Sequence, residues 1–293
     1  MLFRLLLAFT LAVTACSSAY ANHGQLYRVT HDGKTAYLFG TIHVGKQGAL
    51  PLAPEAAQAL LSAHSLVLEL DIRQSEPFQQ ALARHGRYAD GDSVQRHLSP
   101  DALRLLVQAL SRAGLSLASM EQYKPWLLAN MLVSMELDHH GFQRADAVEY
   151  VLLDAASKQD KSVRELESAE YQLALFDTMD ERQQEQYMLE NLAELADGES
   201  LKKSQALVDA WDSADGSRIT DAWRELTSGD SVSAGFMQRT LLGKRNPEMA
   251  STIERILQQD QVAFVGVGLL HLVGENGLPQ LLRQRGYQVE QLY

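Results

Sequence analysis

The sequence predicts an α/β fold, with a central mixed sheet built from both chain ends, flanked by helices, and a large helical middle region. Apolar, strand-like runs occupy residues 26–39 near the start and residues 262–267 and 287–292 near the end. Between them, apolar residues recur with mostly helical spacing, interrupted by two short strand-like segments at 65–71 and 162–167. The terminal strands must therefore pair across the whole chain, which gives the sheet a high contact order.

Several elements carry start and stop signals. Asp32-Gly33, between two apolar runs, is typical of a β-hairpin turn. Pro54, Pro100 and Pro125 each precede a helical pattern, and proline is favoured in the first turn of a helix. Gly286 is placed to cap a helix over residues 277–285. The helical stretch 169–259 is expected to break near four glycines, namely Gly198, Gly216, Gly229 and Gly243.

The first 21 residues are typical of an export signal. Arg4 supplies a positive start, residues 5–13 are apolar, and Ala19-Tyr20-Ala21 is a small-x-small cleavage site. We therefore expect residues 1–21 to be a signal peptide and residues 22–293 to form a single domain. The expected location is the periplasm or the outside of the cell.

Cys16 is the one cysteine in the sequence, and Val13-Thr14-Ala15-Cys16 resembles a bacterial lipoprotein box. Two interpretations stand side by side. Either the cysteine carries a lipid and the protein is anchored to a membrane, or the cysteine is discarded with the signal peptide. In both cases a disulfide and a thiolate metal cage are excluded, because each needs at least two cysteines.

The charge balance restricts the partners. The formal net charge is −11, and removal of Arg4 with the leader would leave 25 basic against 37 acidic side chains, or −12. Such a surface does not suit nucleic acid or an anionic membrane face. We expect a peptide or small-molecule substrate, and membrane attachment only through a lipid on Cys16. The sequence leaves the oligomeric state open.

Four chemically active side chains stand at the carboxyl ends of predicted strands. His43 and His271 each follow a glycine by three residues, and the glycine is expected to provide a tight turn. Glu69 and Glu167 end the two short strands between them. Because ligands bind in the crevice at the carboxyl ends of strands in α/β sheets, we expect the four side chains to converge.

Two imidazoles with one or two carboxylates suit a divalent first-row ion, and manganese, cobalt and zinc all fit this chemistry. Such an ion lowers the pKa of bound water and provides a nucleophile for hydrolysis. Glu69 or Glu167 would then act as the catalytic base. The alternative is that both histidines only form hydrogen bonds to the strand ends.

Three further residues are weaker candidates. Asp71 follows Glu69 by two positions and would face the same side of a strand. Arg245-Asn246 stands at the start of the helix before the second Gly-x-x-His unit. This pair would bind a carboxylate or a phosphate, or would simply begin the helix.

In combination, these segments resemble the TraB/GumN family. The matching stretches run in order along nearly all of residues 22–293. They are Tyr37-Leu38-Phe39-Gly40-Thr41-Ile42-His43, Leu66-Val67-Leu68-Glu69, Lys124-Pro125-Trp126, Leu166-Glu167 with Gln172, Arg245-Asn246, and residues 265–274. The chain departs from the family pattern at Ala147-Val148-Glu149, where the family usually has a glycine, a hydrophobic residue and an acidic residue. Glu149 supplies the acidic residue of that pattern and is a second-rank site candidate.

The resemblance implies a fold like that of the erythromycin-esterase and ChaN-like proteins. The family's animal relatives, the Tiki proteins, are metal-dependent proteases that use manganese or cobalt, and TraB-type members act on or sequester peptide pheromones. The resemblance thus implies a peptidase-like, metal-dependent hydrolase with a metal site at four residues, His43, Glu69, Glu167 and His271. Two alternatives remain open. One is a non-catalytic protein that captures a peptide or haem in the same crevice, and the other is a metal-free, esterase-like enzyme that uses a histidine directly.

Overall fold

The computed structural model describes residues 22–46 and 51–293. The expected signal peptide and Cys16 lie outside the described residues. The strands are β1 (Leu26–His31), β2 (Lys34–Thr41), β3 (Gly45–Lys46), β4 (Ser65–Leu68), β5 (Phe142–Gln143), β6 (Ser162–Glu165), β7 (Val262–Gly268) and β8 (Gln288–Gln291). Six of them form the main sheet in the order β6-β4-β7-β2-β1-β8, and β3 pairs with β5 in a separate small ladder.

The main sheet joins the two chain ends, as the sequence predicts. β7 lies between β2 and β4 and runs parallel to both, with Leu38 paired to Val265 and Thr41 paired to Gly268. β8 pairs antiparallel with β1. The prediction of a mixed sheet is therefore confirmed. β7 is covered on both faces, which explains why its sequence is a continuous apolar run rather than an alternating one.

The hairpin between β1 and β2 turns at Asp32-Gly33. Their φ angles are 48° and 76°, the two consecutive left-handed positions of a type I′ turn. Glycine adopts this conformation without a steric cost. The predicted turn is thus confirmed at the predicted residues.

Helices occupy most of the remaining chain. They are α1 (Pro54–Ser62), α2 (Ser75–His85), α3 (Pro100–Arg112), α4 (Leu117–Met120), α5 (Pro125–His139), α6 (Val148–Ser157), α7 (Ala169–Ala174), α8 (Glu181–Asp197), α9 (Glu199–Ser213), α10 (Gly216–Thr227), α11 (Val232–Phe236), α12 (Arg245–Gln259) and α13 (Leu278–Gln284). The three proline-started helices begin where the sequence predicts. Near Gly243, however, the chain forms a π-helical turn over Met237–Leu242 before α12 begins.

Helices cover both faces of the sheet. On one face α1 and α6 pack against buried strand residues such as Phe39 and Phe264. On the other face α12 and α13 pack against residues such as Leu38 and Val265. α6 and α12 thereby bring their first turns close to the carboxyl ends of the central strands. Both first turns contribute residues to the candidate site.

The helical middle region has its own core. α2, α3, α5, α7, α8 and α11 enclose Trp126, whose indole stacks on Phe176 with ring centroids 4.2 Å apart. At its edge, His85 is clamped between two carboxylates. Its Nδ1 lies 2.5 Å from Asp177 and its Nε2 lies 2.9 Å from Glu170. Since carboxylates only accept hydrogen bonds, this geometry requires a proton on both ring nitrogens.

Among the described residues, no helix combines the length and the apolar character that a membrane crossing requires.

Candidate functional site

Four strand ends lie side by side at one edge of the sheet. β2, β7 and β4 are neighbours in parallel register, with Thr41 opposite Gly268 and Leu68 opposite Gly266. β6 extends the row, because the Leu166 N–H donates to the Leu68 carbonyl at 2.8 Å. Residues that follow these strands therefore meet at a single edge.

The glycines of the two Gly-x-x-His units serve close packing rather than a left-handed turn. Gly40 lies inside β2, and a Cβ there would stand 2.6 Å from Leu269 Cδ1. Gly268 ends β7 with φ −51° and ψ 134°, angles that any residue adopts. The expected glycine turn is thus wrong at Gly40, whereas Gly268 does end its strand directly before a turn. His43 lies in a short bend, whereas His271 lies in the 3-10 turn Leu269–Leu272.

The missing side chain of Gly268 leaves a small space that three groups face. A Cβ at this position would lie 3.3 Å from Glu69 Oε1, 3.4 Å from His43 Nε2 and 3.6 Å from His271 Cδ2. His271 Nε2 is 3.7 Å from Glu69 Oε1. The structure therefore brings both histidines and Glu69 together around one atom-sized space.

His43 is held through its Nδ1. That nitrogen lies 2.7 Å from Glu149 Oε1, which also accepts a 2.7 Å hydrogen bond from the Thr41 hydroxyl. Nε2 of the same ring is left facing the space over Gly268. The attraction of Glu149 raises the pKa of His43 to about 9. The His43 side chain is 67% exposed, so solvent screening keeps the stabilising contribution of this pair small.

Glu149 reaches His43 from the first turn of α6, where a carboxylate also interacts favourably with the helix dipole. The Val148 N–H donates to the Ile42 carbonyl at 3.3 Å and joins the two segments. Ala147 has φ −62° and ψ 143°, so this position does not need the glycine that is usual in the resembling family. Thr41 belongs to the site as well. The sequence feature that could have identified Thr41 is its position, as a polar residue at the end of an apolar strand.

His271 is buried and is held in the same way. Its Nδ1 forms a short hydrogen bond with Asn246 Oδ1. Asn246 Nδ2 donates to the Asn276 carbonyl at 2.7 Å, and this bond fixes the orientation of the amide. Nδ1 of His271 is therefore the donor, and Nε2 is left facing Glu69. Burial lowers the pKa of His271 to about 3, against the opposing pull of Glu69.

Glu69 is an ionised carboxylate in a nearly buried position. Its Oε1 accepts a 2.6 Å hydrogen bond from the Gly268 N–H, and its Oε2 forms a short ion pair with Arg245 Nη2. Burial alone would raise the pKa of Glu69. Arg245, His271 and His43 outweigh burial and hold this pKa far below its ordinary value.

Glu167 has a different environment. Arg245 reaches it with Nη2 at 2.7 Å and with Nε at 3.1 Å from each oxygen, and Gln172 donates to it at 2.9 Å. Both carboxylate oxygens are engaged in these contacts. Arg245 thus does bind carboxylates, as one interpretation of the sequence expected, but they belong to the chain itself. Asn246 instead binds His271 and the Asn276 carbonyl.

Asp71 does not join the group, since β4 already ends at Leu68 and the strand periodicity that would align Asp71 with Glu69 is lost. The Asp71 carboxylate pairs with Arg73 at 2.6 Å. One further residue near the site could not be identified from any local sequence pattern. Trp211, from α9, donates its indole N–H to the Gly40 carbonyl at 2.8 Å.

Within residues 22–46 and 51–293, no group of three or more His, Cys, Asp or Glu side chains is arranged so that it could hold a metal ion as it stands. The donor chemistry nevertheless fits a divalent cation. Two imidazoles are fixed through Nδ1 by acceptors, which is the usual outer-shell arrangement of metal-binding histidines. Their Nε2 atoms and one ionised carboxylate oxygen face the same region.

Comparison with known proteins identifies a family for this chain. A family model described as the TraB/PrgY/gumN family matches residues 25–291. A protein named Uncharacterized protein YbaP, from Shigella flexneri, is 27% identical over 254 residues, which cover 85% of this chain and 88% of the relative. The protein of the same name from Escherichia coli K12 is 27% identical over 253 residues, which cover 84% and 87%. No solved structure matches the chain.

Proposed function

Because the chain belongs to the TraB/PrgY/gumN family, we propose that it is an exported, metal-dependent hydrolase of the peptidase kind. His43, His271 and Glu69 are the residues that would hold the ion, which we propose to be manganese, cobalt or zinc. The single observation that supports this assignment most is the convergence of these three side chains on the space over Gly268. When bound, a divalent ion supplies an acidified water and polarises a carbonyl, the two requirements of amide hydrolysis.

The chain's own residues orient and charge this site. Glu149 and Asn246 hold the two imidazole rings with Nε2 directed inward. Arg245 and the Gly268 N–H keep Glu69 ionised and fixed in place. A site with supported ligands suits hydrolysis, because the reacting groups need no rearrangement before the reaction.

Glu167 receives a different role in this proposal from the one that the sequence favoured. Its oxygens are already bound to Arg245 and Gln172, so it is not proposed as a ligand or as the base. We assign it to positioning. It holds Arg245 in the orientation that reaches Glu69.

Elemental analysis of the purified protein tests the metal assignment. We expect about one manganese, cobalt or zinc ion per chain, and loss of that ion in His43→Ala and His271→Ala. His64→Ala is the matched control, because His64 is exposed and stands before β4, away from the strand ends. Full metal retention by both site variants would contradict the proposal.

A second candidate function rests on the His43–Glu149 pair. A carboxylate-oriented histidine can act in hydrolysis without a metal, and this pair has the required geometry, at 2.7 Å. Hydrolysis of a mixed peptide library, followed by mass spectrometry before and after exhaustive chelation, separates the two. Activity that survives chelation would favour the metal-free enzyme.

A further inference from the structure

A pocket of about 620 Å³ opens beside α12, on the β6 side of the candidate site. Its volume lies in the range of small-molecule sites, about 300–1,000 Å³. One wall comes from the loop after β6 and from α7, including Ser168 and Tyr171. The opposite wall is one stripe of α12, formed by Glu248, Ser251, Thr252 and Arg255. The proposed hydrolase site does not use any of these six side chains.

The stripe recurs at positions i, i+3, i+4 and i+7, so its residues share one face of the helix. The opposite face of α12 carries residues such as Met249 and Ile253, which pack against the sheet. A polar face on an amphipathic helix is ordinarily just solvated. Here a second wall stands across from it, and the face lines a concavity instead of open solvent.

The charges in the pocket are not balanced locally. Arg285 lines it as well, but this guanidinium already pairs with Glu254 at 2.6 Å and donates to the Pro247 carbonyl at 3.0 Å. Arg255 donates to the Thr252 hydroxyl, at 2.9 Å. In the part of the chain that the structure describes, Glu248 interacts with the Tyr171 hydroxyl of the facing wall, and neither Glu248 nor Arg255 forms an ion pair with another side chain.

These two charges are separated by a defined distance. Seven residues of α-helix rise about 10.5 Å, so the backbone positions that carry the Glu248 anion and the Arg255 cation are about 10.5 Å apart along the pocket. A ligand that satisfies both needs an ammonium group and a carboxylate at that separation. An extended chain spans at most about 3.3–3.6 Å per residue, so a tripeptide with free ends meets this requirement.

We propose that this pocket binds short zwitterionic peptides of about three residues, with the amino terminus at Glu248 and the carboxylate at Arg255. The hydroxyls of Ser251 and Thr252 lie between the two charges. Each already donates to a backbone carbonyl and accepts from an arginine, so each can accept one further hydrogen bond, from a peptide N–H. This binding site adjoins the candidate site, because Glu167 also lines it, but its two charged positions stand on α12 and not at the space over Gly268. The inference goes beyond the proposed hydrolase activity and does not rest on it.

Isothermal titration calorimetry with trialanine tests the proposal. We expect binding to the parent protein, and a loss of about fivefold when either the amino end is acetylated or the carboxyl end is amidated, the factor that about 1 kcal/mol gives. Arg255→Gln should remove the sensitivity to amidation, and Glu248→Gln should remove the sensitivity to acetylation. The matched controls are Arg218→Gln and Glu225→Gln, which are exposed on α10.

The same titration with the His43→Ala protein separates this pocket from the candidate hydrolase site. We expect His43→Ala to bind trialanine as the parent does, whatever its effect on metal content or hydrolysis. Loss of trialanine binding in His43→Ala would place the peptide at the hydrolase site and overturn the inference. Absence of trialanine binding to the parent, or equal binding by the parent, Arg255→Gln and Glu248→Gln, would also overturn it.

Discussion

Glu149 offers the sharpest test of how the candidate metal site is supported. Glu149→Gln keeps the length and shape of the side chain and removes its negative charge. The amide oxygen can still accept from His43 Nδ1, so the ring keeps its orientation. What changes is the charge behind the imidazole, because the 2.7 Å contact to His43 becomes a neutral hydrogen bond.

The size of the effect follows from the exposure of the histidine. Loss of an outer-shell partner typically costs about 10- to 100-fold in metal affinity. The His43 side chain is 67% exposed, and solvent screens the charge that the substitution removes. We therefore expect the lower end of the range, about tenfold, which is about 1.4 kcal/mol.

Competition with a chelator of known affinity measures the Kd for manganese or cobalt in the parent and in Glu149→Gln. NMR titration of the metal-free proteins measures the pKa of His43, which we expect to fall from about 9 toward its usual value when the charge of Glu149 is removed. Asp154→Asn is the matched control. Asp154 lies on the same helix and pairs with Lys158 at an exposed position.

Two outcomes would refute the reasoning. One is an unchanged Kd together with an unchanged pKa of His43, which would show that the short contact to Glu149 does not act on this ring. The other is an equal loss of affinity in Asp154→Asn, which would show that any charge removed from α6 has the same effect. A thermal melt of each variant confirms that the comparison is between folded proteins.

Three further predictions follow from the same geometry. Gly268→Ala should abolish metal binding with little change in Tm, because its backbone angles suit alanine while the new Cβ fills the space that Glu69 and the histidines face; normal metal content would contradict this. Arg245→Met should lower the free energy of unfolding by about 3–5 kcal/mol, measured by urea denaturation, because two carboxylates lose their buried partner; a change below about 1 kcal/mol, typical of surface pairs, would contradict it. His85→Asn should destabilise the protein most at low pH. Burial opposes protonation of His85, but its hydrogen bonds to two carboxylates raise its pKa. These hydrogen bonds therefore stabilise the protein fully below the pKa that His85 has in the unfolded state, and their contribution is lost as pH rises through its pKa in the folded state. Urea midpoints should therefore converge between the parent and His85→Asn as pH rises, and a constant difference would contradict the clamp.

The parts of the fold that the sequence predicts are those with local causes. The hairpin turn is predictable because Asp32-Gly33 suits two left-handed positions. β7 is predictable because a strand covered on both faces needs an unbroken apolar run. The β3–β5 ladder is not predictable from periodicity, since two residues on each side are too few to show a period. The π-helical turn over Met237–Leu242 likewise left no mark in the spacing of apolar residues.

In the candidate site, the sequence predicts which strand ends hold the site residues. The structural role that it predicts for some neighbouring residues is wrong. Gly40 was expected to make a turn, but it lies in β2, where Leu269 packs so closely that a side chain would not fit. That contact joins residues more than two hundred positions apart in the chain, so no local pattern records it. The indole of Trp211 on the Gly40 carbonyl is unpredictable for the same reason.

Glu69 and Glu167 show most clearly that strand order determines what the sequence pattern alone does not. In sequence they are equivalent, since each follows a short strand. β4 lies next to β7, so Glu69 reaches the Gly268 N–H at 2.6 Å. β6 lies one strand further from β7 than β4 does, by about 4.8 Å. Glu167 therefore binds Arg245 instead of the Gly268 N–H. One guanidinium serves both carboxylates, so a single negative charge remains uncompensated by Arg245, and it lies on the side where both imidazoles converge. That residual charge favours a cation at the space over Gly268, and strand order rather than residue type determines which glutamate faces it.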